Sequence, residues 1–166
     1  MYRTIQDFLN DWKYESESTL KMLNALTDAS LLQKVSAEGR SLGFLAWHIV
    51  LTLGEMGGKT GITVQAPSED APMPAASSII ATAYDAGARS VADEISKHWT
   101  DAMLLEEIEM YGEKWKRGYA IASLMKHQTH HRAQMTVLMR QAGLKVPGVY
   151  GPAREEWAQF GMPAAK

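Results

Sequence analysis

The chain has 166 residues, with 17 lysines and arginines against 19 acidic residues, for a formal charge of -2. That length matches one domain able to bury about 70% of its unfolded surface, and the near-neutral balance excludes the strongly basic footprint of a dedicated nucleic-acid binder. Its 46% hydrophobic and 22% charged residues read as globular rather than disordered, and the absence of cysteine excludes disulfide scaffolds, cysteine-based metal sites and a protein thiol nucleophile.

The opening MYRTIQDFLNDW places Asp7 and Asp11 where an export signal needs a basic and then an apolar segment. The most apolar stretch, residues 42–54, is shorter than the roughly 20 residues of a membrane-spanning helix and contains His48. A cytoplasmic protein with no membrane partner is therefore expected.

The six prolines fall in two groups, Pro67, Pro72 and Pro74, then Pro147, Pro152 and Pro163, and the long proline-free stretches have helical periodicity. Helix one is predicted from residue 4 to about 26. Ile5, Phe8, Leu9, Trp12, Leu20, Leu23 and Ala25 recur mostly at three- and four-residue steps, and Thr4 with Asp7 matches a capping box. After a polar stretch, Ser41 caps helix two, which carries Leu42, Leu45, Ile49, Leu53 and Met56 on one side and is expected to stop at Gly57 and Gly58. Residues 59–76, rich in Pro, Gly, Ser and Asp, are long for a simple turn and predict a crossover over the bundle.

Helix three follows, with Ile80, Tyr84, Gly87, Val91, Ile95 and His98 at alternating three- and four-residue spacings, broken by Thr100 and Asp101. Residues 101–118 admit either a short helix or a strand-like hairpin. Helix four is predicted over 119–142, with Gly143 as its cap, and Pro152 is positioned to start one more short helix in the tail. The pattern is all-α: a four-helix bundle with a long crossover and a short accessory helix, in a single domain over residues 1–166.

The candidate chemistry lies in the histidines. His127 and His131 are four apart on helix four, which puts both imidazoles on one face, one turn apart, as a metal held by two helix ligands requires. His130 competes, but at about 100° per residue it falls nearly opposite the apolar face, whereas His131 borders that face with His127 one step beyond. Gln134 continues the stripe. Two ligands do not make a stable transition-metal site, and His48, in the middle of the most apolar helix, is the natural third.

Glu55, seven residues on from His48, points in nearly the same direction, as a carboxylate orienting a ligand, as a general base, or as a surface group. Arg132 faces the apolar side and either holds an anionic substrate group or forms a buried or interface ion pair. His98 is expected at the C-terminal end of helix three, where the macrodipole favours a cation, and Glu106, Glu107 and Glu109 read as a solvated face. His127 is followed by Gln128, so this is not a HExxH protease motif. No Glu-x-x-His pair of the ferritin-like di-iron kind occurs, and neither Walker A nor GxGxxG is present.

The stretch HQTHHRAQMTVLMRQAGLKVPGVYGPAREEW, with SLGFLAWHI upstream, resembles the DinB-like family of metalloenzymes, the DNA-damage-inducible and YfiT-like group. The resemblance rests on a single His in helix two, a His-x-x-x-His pair followed by Arg and Gln in helix four, and the YGP tail. It implies a bundle of up-down-down-up order, often dimeric, with His48, His127 and His131 holding a divalent metal ion, zinc or nickel. For the reaction it implies a metal-dependent hydrolase or a transferase using a low-molecular-weight thiol on a small-molecule substrate. The alternative is a non-catalytic metal- or ligand-binding stress-response protein. Metal activation would leave Glu55, Gln134 and Arg132 to orient the site or the substrate. Helix two is apolar around most of its circumference, including Phe44, Trp47 and Leu51, and a homodimer interface is expected to absorb the excess.

Overall fold

A computed structural model describes residues 2–163. Helix α1 spans Ile5–Asn24, α2 Leu42–Lys59, α3 Ser77–His98 and α4 Arg117–Gln141. Thr4 and Asp7 form the expected capping box, and the Ser41 side chain accepts from the Phe44 amide at the start of α2. Each cap satisfies donors that an unflanked helix leaves without partners. At the other end of the chain, Gly143 takes a positive φ of 74° and the Leu144 amide returns to the Met139 carbonyl, which terminates α4.

Side-chain contacts give the helix directions. Ser77 at the start of α3 bonds Asp28 and Leu26 just past the end of α1, while the Ile5 amide at the start of α1 donates to Asp101 just past α3, so these two helices are antiparallel. Tyr2 meets Met125 and Glu15 meets Arg132, so α1 and α4 run in parallel. His48 meets His127, and Glu55 meets Tyr111 just before α4, so α2 opposes α4. The order is up-down-down-up, and the two parallel middle helices require the long crossover.

That crossover is an extended strap rather than a loose loop. Its Thr63 and Gln65 amides donate to Glu94 and Ser90 of α3, and the Trp47 indole donates to the Ala71 carbonyl at 2.8 Å. Trp47 is thereby buried under the chain's own backbone, and part of the apolar excess of α2 is covered without a second copy. Phe44 remains exposed and Leu51 half-buried. Gly57 does not end α2, which runs on to Lys59; a Cβ there would stand 2.6 Å from Val64 Cγ2, so its role is to admit the strap.

Residues 101–116 contain both of the elements that the sequence pattern admits. A 3₁₀ turn at Asp101–Leu105 is followed by antiparallel strands β1, Glu107–Met110, and β2, Glu113–Lys116. Tyr111 and Gly112 between them both have positive φ, 54° and 83°, which suits the right-handed twist of a two-residue hairpin. A further 3₁₀ turn, Asp28–Leu32, leads toward α2, and the tail helix is a single 3₁₀ turn at Trp157–Phe160, later than Pro152.

The core contains Phe8 and Trp12 of α1, Ile49 and Leu53 of α2, Ile80, Tyr84 and Ile95 of α3, and Met135 and Met139 of α4. Each such side chain contributes about 1.5–3 kcal/mol by leaving water. Among the described residues no helix is long and apolar enough to cross a membrane.

Candidate metal centre

His48 lies near the middle of α2 and His127 and His131 one turn apart on α4, and the antiparallel packing of these helices brings the three rings together edge to face, with centroids 4.5–5.0 Å apart. Nε2 of His127 is 3.3 Å from Nε2 of His48 and 3.1 Å from Nε2 of His131. His131 is buried, and the other two are half-buried.

The protonation pattern follows from the partners. Gln134 Oε1 lies 2.8 Å from His131 Nδ1 and can only accept, so the proton of neutral His131 is on Nδ1 and its Nε2 presents a lone pair. The Gln134 amide nitrogen donates to Nε2 of the exposed His130 at 3.1 Å. His127 Nε2 then faces two other ring nitrogens. A proton there serves one N–H···N contact and leaves other lone pairs converging, while Nδ1 of His127 is buried without a partner among the described residues.

Protonation does not relieve this crowding. Burial first, then the neighbouring imidazoles and the Arg40 charge, lowers the pKa of His127 to about 4. His48 is pushed down by burial, His131 and Arg40, and His131 by burial, His130 and Arg40 against the opposing bond from Gln134. Three neutral nitrogen donors near pH 7 are the form that a metal ion takes. Nitrogens about 2.0–2.1 Å from a tetrahedral ion lie about 3.3 Å apart, which matches the two spacings to His127, and the donor atoms of all three rings lie within 4.8 Å of one another.

Of the other sequence candidates, Gln134 joins the cluster and the rest do not. Glu55 accepts from the Tyr111 hydroxyl at 2.8 Å and lies 3.6 Å from Lys59, some two turns along α2 from His48. Arg132 is in a buried ion pair with Glu15 of α1, 2.7 Å away, and also donates to Thr19 and Tyr150. His98 lies 3.7 Å from Glu94 at the exposed end of α3. Glu106 and Glu107 pair with Arg117 and Lys116 on the surface.

Two residues at the rim, Arg40 and Phe44, are not among the sequence candidates. The Phe44 ring stacks on His48, centroids 5.9 Å apart and 14° from parallel, and the Arg40 guanidinium lies 5.0 Å from the Phe44 ring centroid. Phe44 stands four residues and Arg40 eight residues before His48, and that spacing is the signal that points to them. Glu15 is a further addition. It lies in the α1 seam of Phe8, Trp12, Thr19 and Met22, where a buried charge demands a partner.

A single helical bundle with three imidazoles converging between α2 and α4 defines the class, a helical protein with a candidate three-histidine metal centre. The DinB family profile matches residues 1–164, and the chain belongs to the DinB family. It is 45% identical over 166 residues to YrdA of Bacillus subtilis (strain 168), described as an uncharacterized protein, covering 100% of this chain and 99% of that one. A DinB-like protein from Bacillus cereus ATCC 10987 of known crystal structure is 42% identical, with a TM-score of 0.87 over 90% of this chain and 100% of that one. The DinB-like YjoA of Bacillus subtilis has the same fold at 14% identity, with a TM-score of 0.67 over 86% of this chain and 97% of that one.

Proposed function

We propose that the protein binds one divalent ion, zinc or nickel, through Nε2 of His48, His127 and His131 and acts as a metal-dependent enzyme on small molecules, by thiol transfer or hydrolysis. The observation that carries the reading is the convergence of three ring nitrogens with no proton arrangement that satisfies them all. An ion held by three neutral imidazoles keeps its double charge and an open position, and supplies Lewis-acid activation of a thiol or a water. The chain's own contribution is to hold the rings in place: Gln134 fixes the His131 tautomer, and packing between α2 and α4 sets the spacing.

Among the described residues no carboxylate bonds the three imidazoles, and Glu55 is engaged by Tyr111 and Lys59. Of the two reactions this favours transfer of a low-molecular-weight thiol, because a thiol ionises near neutral pH with less help from a base than water needs.

The test is elemental analysis of protein purified without a metal-affinity step, followed by assay of electrophilic substrates with and without added thiol. The proposal expects about one ion per chain, lost in His48→Ala, and turnover abolished by chelation. Turnover without added thiol assigns the hydrolytic branch. Stoichiometric metal with no turnover in either assay supports the non-catalytic binding protein, and no uptake of zinc, nickel or manganese overturns the metal reading.

A further inference from the structure

Arg40, Phe44 and His48 are spaced by four residues and stack in succession, guanidinium on phenyl ring on imidazole. Arg40 is exposed and forms no ion pair among the described residues. Its guanidinium carbon lies over the Phe44 ring, and among the described residues no hydrogen bond engages its fork of N–H donors, which leaves them free for a ligand.

The electrostatics around the cluster have one sign. Arg40 is the charged group stacked toward His48 through Phe44, while Glu55, two turns along α2 from His48, is committed to Tyr111 and Lys59. With a dication on the histidines the mouth of the site is strongly positive, so it attracts anions and rejects cationic substrates. Phe44, 44% exposed, supplies an apolar surface between the two charges.

We propose that Arg40 and Phe44 form a recognition subsite for a small molecule with a reactive end at the three-histidine centre, an apolar middle over Phe44 and an anionic group, carboxylate or phosphate, on Arg40. This rests on the metal reading above and adds the substrate class. Arg40 acts as a specificity determinant, through charge-assisted hydrogen bonds to the anion.

The test uses cobalt(II) in the full-length protein as a spectroscopic reporter, with two thiols of equal chain length as probes, 6-mercaptohexanoate and 6-mercaptohexanol. Each is titrated against the visible absorption of the cobalt, in wild type, Arg40→Gln and Arg40→Lys. In the wild type the acid binds about tenfold tighter than the alcohol, the size of a charge-assisted hydrogen bond. In Arg40→Gln that preference falls to within about twofold while alcohol binding and cobalt stoichiometry are unchanged, and Arg40→Lys retains part of it. Cobalt uptake with no preference in the wild type, or a preference that survives Arg40→Gln, overturns the Arg40 assignment alone. Failure of the wild type to take up cobalt overturns the metal reading and this proposal with it.

Discussion

His131 and Arg132 are neighbours in the chain, yet about 100° apart around α4 they meet different helices, and the two polar clusters they enter differ in one physical respect. Toward α1, Arg132 finds the Glu15 carboxylate and main-chain carbonyl, the Thr19 hydroxyl and the Tyr150 hydroxyl, all within hydrogen-bond distance. Its charge is buried and answered inside the chain. Toward α2, His131 meets two more imidazoles whose nitrogens face one another without a set of protons to join them. A buried polar group that is satisfied internally stabilises a fold, whereas converging unsatisfied donors of one kind mark a place for a ligand. The same helix thus carries a lock and a candidate metal site one residue apart.

The comparison breaks first on metal content. Replacing His127 or His131 by alanine is expected to lower zinc or nickel affinity by more than about 100-fold, beyond the range seen for groups that merely support a ligand. Glu15→Ala should leave stoichiometry near one per chain. Elemental analysis after dialysis against a weak chelator reads both. If Glu15→Ala loses metal as readily as His127→Ala, the two clusters are not independent.

On stability the order reverses. Removing Glu15 leaves the Arg132 charge buried and unpaired, which costs about 3–5 kcal/mol, and urea unfolding of the metal-free protein should show it as a lowered midpoint. His127→Ala in the same metal-free protein should be far milder. It removes a half-buried ring whose Nδ1 has no partner among the described residues and relieves the crowding of three nitrogens.

A smaller effect sharpens the account of how the rings are held. Gln134→Ala frees His131 Nδ1 and the ring's tautomer, and metal affinity is expected to fall by about 10-fold, at the low end for a supporting hydrogen bond. Competition with a chromophoric chelator measures it. An unchanged affinity would show that helix packing alone orients His131.

The smallest effect is in the pH dependence of the metal-free fold. His127 titrates at about 4 in the folded chain, against 6.5 when unperturbed, so between those values the unfolded state binds more protons. Stability is therefore undiminished above pH 6.5, falls as the pH drops below it, and levels off for this group near pH 4. His48 and His131, also shifted downward, act in the same direction. Urea midpoints across this range should fall less steeply in His127→Ala than in wild type.

Much of the fold and of the histidine cluster is legible in the amino-acid sequence. The capping box at Thr4, the Ser41 cap and the glycine after α4 are local rules, and the helix periods place His127 and His131 on the inner flank of α4 and His48 within the apolar α2. The hairpin at residues 107–116 is not legible in the same way, because its strands are only four residues long, too short for a period to declare itself. The partner of Arg132 is hidden for a different reason. A helical wheel shows that Glu15 lies in the α1 seam, but not which of three neighbouring helices that seam faces.

Which residues become helix, which face of each turns inward, and that three histidines lie on inward or flanking faces are thus properties of the sequence alone. Which faces meet is a property of the assembled bundle. The antiparallel register of α2 against α4 brings the three Nε2 atoms together, the parallel register of α1 and α4 gives Arg132 its carboxylate, and the strap over Trp47 is packed by contacts far apart in the chain. Local periodicity is set by backbone geometry within a few residues. Register and rotation between helices are set by the packing of whole side-chain surfaces, and no short stretch of sequence contains both sides of that contact.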